Sequence, residues 1–214
     1  MILTAVYQGN SVIRVDEIIM KKLFSVIWLF FALPAFAAVT VADVTFDETA
    51  KVGAGDTVLN GAGVRGAFFL NAYAIGLYLP EKQTDEASAF QAKGAKRLRV
   101  VVLMGVPAER LAQSLIKGIE KNHDTEAMGR LQARMDVFKA VLLAIGMVNV
   151  GDVADFDWLP EEQGGVLRLA INGKKQGEDI AGEDFYQALM AVWLGERPAD
   201  RALKAALLGR TEES

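Results

Sequence analysis

Residues 59–79 read LNGAGVRGAFFLNAYAIGLYL, and this stretch says more about the fold than any other part of the chain. Its glycine-rich beginning leads into an aromatic and aliphatic run, which suits a long strand or a bent hairpin. If the strand is regular, Arg65, Phe69, Asn71 and Tyr73 lie on one face. An arginine beside an amide and a phenol is a candidate for binding a carboxylate or a phenolate. The alternative is a structural arginine, paired with a nearby acid or carbonyl.

The glycines of this stretch also match a nucleotide-binding pattern, because GAGVRG at residues 61–66 reads G-x-G-x-x-G. That motif requires a helix directly after the glycines, so that backbone N–H groups meet the pyrophosphate. The following residues have no helical stripe and are typical of a strand. We therefore interpret the glycines as a bend or a bulge.

Further along the chain, the residue pattern alternates between strands and helices. Residues 97–106 form a β-branched run that predicts a buried strand, and Asn172-Gly173 is typical of a type I′ hairpin turn. Apolar residues at steps of three and four predict the helices, which lie near residues 107–121, 124–145, 183–195 and 198–208. Grouped strands and grouped helices indicate an α+β fold with an antiparallel sheet.

The ionisable residues suggest no metal, cofactor or nucleic-acid site. A run of acidic residues matches no calcium-binding loop and is interpreted as a solvated loop; it comprises Asp152, Asp155, Asp157, Glu161 and Glu162. The single histidine, His123, is predicted to be a turn or cap residue. The chain has no cysteine and a net charge of −4 without basic blocks, which argues against nucleic-acid binding.

The N-terminal residues have the layout of an export signal. Met20-Lys21-Lys22 is followed by an apolar run and by Ala35-Phe36-Ala37, so residues 20–37 are predicted to be a signal peptide. A retained anchor is the alternative. Residues 1–19 fit no part of a signal and are interpreted as an over-called start. Residues 38–214 are then one domain, located in the periplasm or secreted, without a stable membrane span after cleavage.

Several segments resemble one known family. Residues 59–66 (LNGAGVRG) and 73–79 (YAIGLYL) resemble the chalcone isomerase family. Three later segments resemble its bacterial chalcone isomerase-like branch, namely residues 169–173 (LAING), 180–185 (IAGEDF) and 192–195 (VWLG). The resemblance covers about residues 44–209. It implies an open-faced β-sandwich, in which a layer of helices covers an antiparallel sheet and a ligand cleft lies between them.

The resemblance also implies roles for individual residues. In the plant enzymes an arginine binds the reacting phenolate, and threonine, tyrosine and asparagine side chains complete a polar network. Arg65 matches that arginine, and the threonine falls on Tyr73. The tyrosine and the asparagine seven residues later fall on Leu111 and Gly118 in one register, and on Leu115 and Asn122 in another. Neither register keeps the tyrosine, so most of the network is absent.

Three hypotheses follow from this pattern. The first is an exported, non-catalytic protein that binds a small apolar anion such as a fatty acid, through Arg65, Asn71, Tyr73, Leu111 and Leu115. The second is an isomerase, an intramolecular lyase acting on a phenolic or enone substrate, in which Arg65 stabilises an oxyanion and Tyr73 donates a proton. The third is a protein-interaction module with a closed cleft. No cofactor is expected under any of them.

Overall fold

A computed structural model describes residues 38–67, 70–162 and 164–210 of the chain. The predicted signal peptide and the residues before it lie outside the described residues. Phe69, which the sequence places on the face of Arg65, also lies outside them, as do Phe68 and Gln163.

The described residues contain eleven strands and five helices. The strands are β1 (Ala38–Val41), β2 (Val44–Asp47), β3 (Thr49–Val52), β4 (Gly55–Ala67), β5 (Leu70–Leu79), β6 (Lys96–Val102), β7 (Val106–Pro107), β8 (Met147–Val148), β9 (Val153–Leu159), β10 (Val166–Ile171) and β11 (Lys174–Ala181). The helices are α1 (Glu86–Gln91), α2 (Ala108–Glu120), α3 (Thr125–Ala144), α4 (Glu183–Leu194) and α5 (Arg201–Leu207).

Seven of these strands form an antiparallel sheet, in the order β11-β10-β9-β6-β5-β4-β3. Strand β5 lies inside the sheet and alternates between its two faces. Ile75 and Leu77 pack into the main core together with residues of α2, α3 and α4. Ala74 and Tyr78 point to the other face, where Phe46 of the β1–β2 hairpin covers them. A sheet with helices packed on one face is the predicted α+β arrangement, which is confirmed.

The longest helix, α3, agrees with the sequence periodicity and has recognisable ends. The Asp124 carboxylate accepts a hydrogen bond of 2.8 Å from the Ala127 N–H at the start of α3. This side-chain cap satisfies one of the free N–H groups of the first turn. Gly146 follows the helix with a φ of +75°, in the left-handed conformation that glycine adopts at a helix end.

The glycine-rich segment lets a helix approach a strand closely. Gly61 and Gly63 lie in β4 on the side that faces α5. A Cβ atom on Gly63 would lie 2.6 Å from the Leu203 Cδ1 atom, and one on Gly61 would overlap the backbone of α5. The β4–β5 register also shifts between Leu59 and Gly61. The glycines thus serve a bulge, as predicted, and they also provide a packing surface for α5.

The predicted loop is wrong for two of the five acids, because Asp155 and Asp157 lie in strand β9, whereas Asp152, Glu161 and Glu162 lie outside the strands. Asp155 and Asp157 are buried, and each forms a two-point ion pair with an arginine of the neighbouring strand β6. Arg97 donates to Asp157 at 2.6 and 2.7 Å, and Arg99 donates to Asp155 at 2.8 and 2.8 Å. The prediction was wrong because the acids alternate with core residues, and every second residue of a strand faces the same side.

Candidate functional site

The site begins with two residues that face each other across neighbouring strands. Arg65 of β4 pairs directly with Tyr73 of β5 in the antiparallel register. Paired residues share a face of the sheet, with their Cβ atoms about 5 Å apart. Tyr73 packs against the main core on the helix side, so Arg65 lies on that side as well. The structure therefore brings together the two residues that the sequence names as the centre of the site.

The Tyr73 hydroxyl is held by a third residue, Trp193 of α4. The Trp193 Nε1–H group donates a hydrogen bond of 2.8 Å to the Tyr73 hydroxyl oxygen. Burial raises the pKa of Tyr73, whereas the Trp193 bond and the Arg65 guanidinium oppose the rise. The phenol is therefore neutral at physiological pH. Because its oxygen accepts from Trp193, its own proton is available to a further acceptor.

Among the described residues, Arg65 acts on Tyr73 and forms no ion pair with an acid. It is partly buried, and its guanidinium lies close enough to Tyr73 to act on the pKa of the phenol. The ion pairs between described residues use other arginines, namely Arg97, Arg99, Arg130, Arg134, Arg168 and Arg210. Asp200 also acts on Tyr73, but its carboxylate accepts a hydrogen bond from the Leu203 N–H at the start of α5. Within the described residues, the alternative of an acid-paired structural arginine is thus not observed.

Asn71 does not share the face of this pair. The β4–β5 register shifts again between Arg65 and Gly66, so that Asn71 pairs with Gly66. Neighbours along a strand point to opposite faces, and Gly66 is the neighbour of Arg65. Asn71 is also exposed. The expectation of a common face is wrong at this position, because a bulge interrupts the alternation.

The two candidate leucines form the apolar side of the site. Leu111 and Leu115 lie on α2, and both pack against the core cluster that includes Tyr73. Leu111 is partly buried and also contacts the cluster of Val102, Ala108 and Val148. Leu115 is 4% exposed and is a core residue. Both leucines therefore belong to the apolar layer between the helices and the sheet face that carries Tyr73.

The two positions that match the family asparagine have structural roles. A Cβ atom on Gly118 would lie 2.8 Å from Val192 Cγ1, so this glycine permits the close approach of α2 and α4. The Asn122 amide donates to the Gly118 carbonyl at 2.9 Å and accepts from the Arg197 N–H at 2.9 Å. It therefore fastens the end of α2 to the segment after α4. His123 Nδ1 lies 2.8 Å from the Ile119 carbonyl oxygen, which confirms its predicted role at a turn.

Trp193 is the site residue that the sequence does not identify. Its hydrogen bond joins residues 120 positions apart in the chain, and no local pattern reports such a contact. The segment VWLG at residues 192–195 was the available signal, because it contains this tryptophan.

Two surface grooves, of about 530 and 580 Å³, are lined by residues other than the Arg65–Tyr73 pair. The first lies between α1, α3 and α4, and its lining includes Phe90 and Leu131 together with the carboxylates of Glu86, Asp184 and Glu196. The Glu86 carboxylate is paired with Lys204 and that of Asp184 with Arg134, and Arg130 also lines this groove. In the described part of the chain, no group of three or more histidine, aspartate or glutamate residues is arranged to hold a metal ion.

Comparison with known proteins assigns this chain to a family. A family model described as chalcone isomerase-like matches residues 38–209. The fold is similar to the crystal structure of a fatty-acid binding protein from Arabidopsis thaliana, with a TM-score of 0.61 and 15% sequence identity. That match covers 80% of this chain and 96% of the plant protein. No curated protein matches the sequence significantly. The chain belongs to the chalcone isomerase-like family.

Proposed function

We propose that this protein is an exported, non-catalytic binder of a small apolar anion, and that the ligand is a long-chain fatty acid. The observation that carries the proposal is the arrangement of Arg65 and Tyr73. A guanidinium and a neutral phenol with an available proton lie side by side, on the sheet face that packs against the apolar core.

The chemistry of the pair suits a carboxylate. One carboxylate oxygen accepts from the Arg65 guanidinium, and the other accepts from the Tyr73 hydroxyl, whose position is fixed by Trp193. Hydrogen bonds to a charged group contribute about 1.5–3 kcal/mol each. The hydrocarbon tail lies along α2, where Leu111 offers a partly buried apolar surface. The structural similarity to a plant fatty-acid binding protein supports this ligand class.

We favour a non-catalytic role because most of the polar network that the resemblance implies is absent. The positions of the family tyrosine carry Leu111 or Leu115, and Asn122 is bonded to the Gly118 carbonyl and the Arg197 N–H. Pre-organised polar groups supply much of the transition-state stabilisation in enzymes. An arginine and a single phenol remain, and they are sufficient to hold a charge.

A titration with two matched ligands tests the proposal. A long-chain fatty acid is expected to displace a bound fluorescent probe, whereas the alcohol of the same chain length displaces it at least about ten-fold less well, because it lacks the charge. Tyr73→Phe is expected to weaken binding of the acid about ten-fold and to leave binding of the alcohol nearly unchanged. Equal binding of acid and alcohol by the wild-type protein would refute an anion site.

One observation favours a second candidate, the isomerase on a phenolic or enone substrate. The neutral Tyr73 hydroxyl beside Arg65 is also the arrangement that a proton donor beside an oxyanion-stabilising group would have. Turnover of a phenolic enone that is lost in Arg65→Ala would establish this function. A panel of such compounds without turnover would rule it out for those substrates.

Export is a separate part of the proposal and has its own test. Residues 20–37 are proposed to be removed as a signal peptide, with translation starting at Met20. The intact mass of the protein from a periplasmic extract is expected to correspond to a chain that begins at Ala38. A mass that includes residues 20–37 would show that the segment is retained.

A further inference from the structure

One end of the sheet carries exposed apolar side chains that the proposed ligand site does not use. They are Leu70, Met104, Met147 and Val150, with exposed fractions of 67, 43, 53 and 67%. We refer to these four residues as the apolar end. A large apolar side chain exposed to this degree gains free energy when it leaves water, so a cluster of them marks a contact surface.

Backbone contacts bring the four residues together from three separate segments. The Ala72 carbonyl, two residues after Leu70, accepts hydrogen bonds of 3.0 Å from the N–H groups of both Leu103 and Met104. Gly105 lies against the backbone of residues 148–150, and Pro107 pairs with Met147 in the β7–β8 ladder. The cluster is therefore a fixed part of the fold.

The segments that meet here lack charge to an unusual extent. Residues 66–80, 100–108 and 140–151 contain no aspartate, glutamate, lysine, arginine or histidine, whereas 23% of the whole chain is aspartate, glutamate, lysine or arginine. Two acids border these segments in the chain: the exposed Glu109, and Asp152, whose carboxylate accepts from the N–H of Asn149 and from the amide of Asn172. Exposed cations stand near the segments as well, at Arg110 and Lys174.

We propose that the apolar end docks on the surface of a phospholipid bilayer. A bilayer interface accepts aliphatic and methionine side chains from several loops without requiring a matching shape, and it penalises charges at the point of entry. An apolar centre without charge, with charged residues only beyond the ends of its segments, meets both conditions. In the described residues, no helix has the length and hydrophobicity that a bilayer crossing requires.

The position of the apolar end suggests what docking would serve. Leu70 and Arg65 lie at the same end of the β4–β5 hairpin, because Arg65 pairs with Tyr73 and Ala67 pairs with Leu70. A protein that touches a bilayer with this end presents the Arg65–Tyr73 pair close to the lipid from which an acyl ligand would come. Docking itself does not rest on the proposed ligand, so it is tested with ligand-free protein.

Vesicle flotation tests the inference. The mature protein, residues 38–214, is mixed with vesicles of phosphatidylcholine and phosphatidylglycerol, and the bound fraction gives a partition coefficient. The double variant Leu70→Ser/Val150→Ser is expected to lower this coefficient about ten-fold or more, from the lost apolar transfer of two largely exposed side chains. The control Val39→Ser/Val137→Ser changes two exposed valines outside the apolar end and is expected to bind as the wild type does.

Two results would overturn the inference. One is a wild-type protein that does not float with vesicles. Self-association through Leu70 and Val150 in place of vesicle binding would be such a result. The other is a double variant with the same circular dichroism and the same partition coefficient as wild type. Arg65→Ala is expected to bind vesicles normally, so loss of fatty-acid binding and loss of docking are separate results.

Discussion

The bond between Trp193 and Tyr73 allows the sharpest test of how the site is held. Trp193→Phe removes the indole N–H that donates to the Tyr73 hydroxyl at 2.8 Å, in a site where the tryptophan is 2% exposed. A buried polar group that loses its partner costs about 1–3 kcal/mol. The smaller ring leaves a cavity that costs about 1 kcal/mol more. We expect the free energy of unfolding to fall by about 2–4 kcal/mol.

Urea denaturation of matched variants isolates the hydrogen bond from the loss of volume. Trp158→Phe removes the same atoms from a tryptophan that is 3% exposed and forms no hydrogen bond within the described residues. It is expected to cost only the cavity contribution, about 1 kcal/mol. In a Tyr73→Phe background, Trp193→Phe is expected to cost less than in the wild type, because the acceptor is already absent. Equal costs for the two tryptophan variants, without coupling to Tyr73, would refute the role of this bond.

Two further predictions concern charges outside the site. The Arg168 guanidinium holds the pKa of the Asp179 carboxyl below its usual value. The carboxylate therefore stabilises the fold above the unfolded pKa of about 3.9. This contribution to stability is lost as the pH falls through the folded pKa. Asp179→Asn should therefore lower the urea midpoint at neutral pH and have a smaller effect near pH 2; an equal effect at both would contradict this assignment. Burial lowers the pKa of Lys96, and Glu183, which accepts from its ammonium at 3.1 Å, opposes the shift. Glu183→Ala leaves a buried charge without its partner and should cost about 3 kcal/mol at neutral pH. The cost should shrink as alkaline pH deprotonates the lysine in the folded state, and a cost independent of pH would exclude this explanation.

The helices and turns could be predicted from the sequence because their causes are local. Leu111, Leu115 and Ile119 recur every four residues, and this spacing alone places an apolar stripe on α2. The turn at Asn172-Gly173 shows φ values of +51° and +75°, as a type I′ turn requires. In both cases the information lies within a few residues.

The rest of the site depends on contacts between distant segments. The bulge that turns Asn71 away from Arg65 is a property of the pairing between two strands. The acids of β9 looked like a solvated loop because their arginine partners lie about 60 residues earlier in the chain. Trp193 reaches Tyr73 only after α4 has packed onto the sheet. Such partners are determined by topology, which composition and spacing do not reveal.

Native mass spectrometry of the mature protein, purified gently from the periplasm and then incubated with a long-chain fatty acid, tests the central claim most directly. The proposed site predicts one added mass of a single fatty acid on the wild type, strongly reduced on Arg65→Ala. The control Arg130→Ala, which removes a surface arginine paired with Glu126, is expected to bind as the wild type does. A wild-type protein that stays ligand-free, or an Arg65→Ala variant that binds equally well, would contradict an anion site at Arg65.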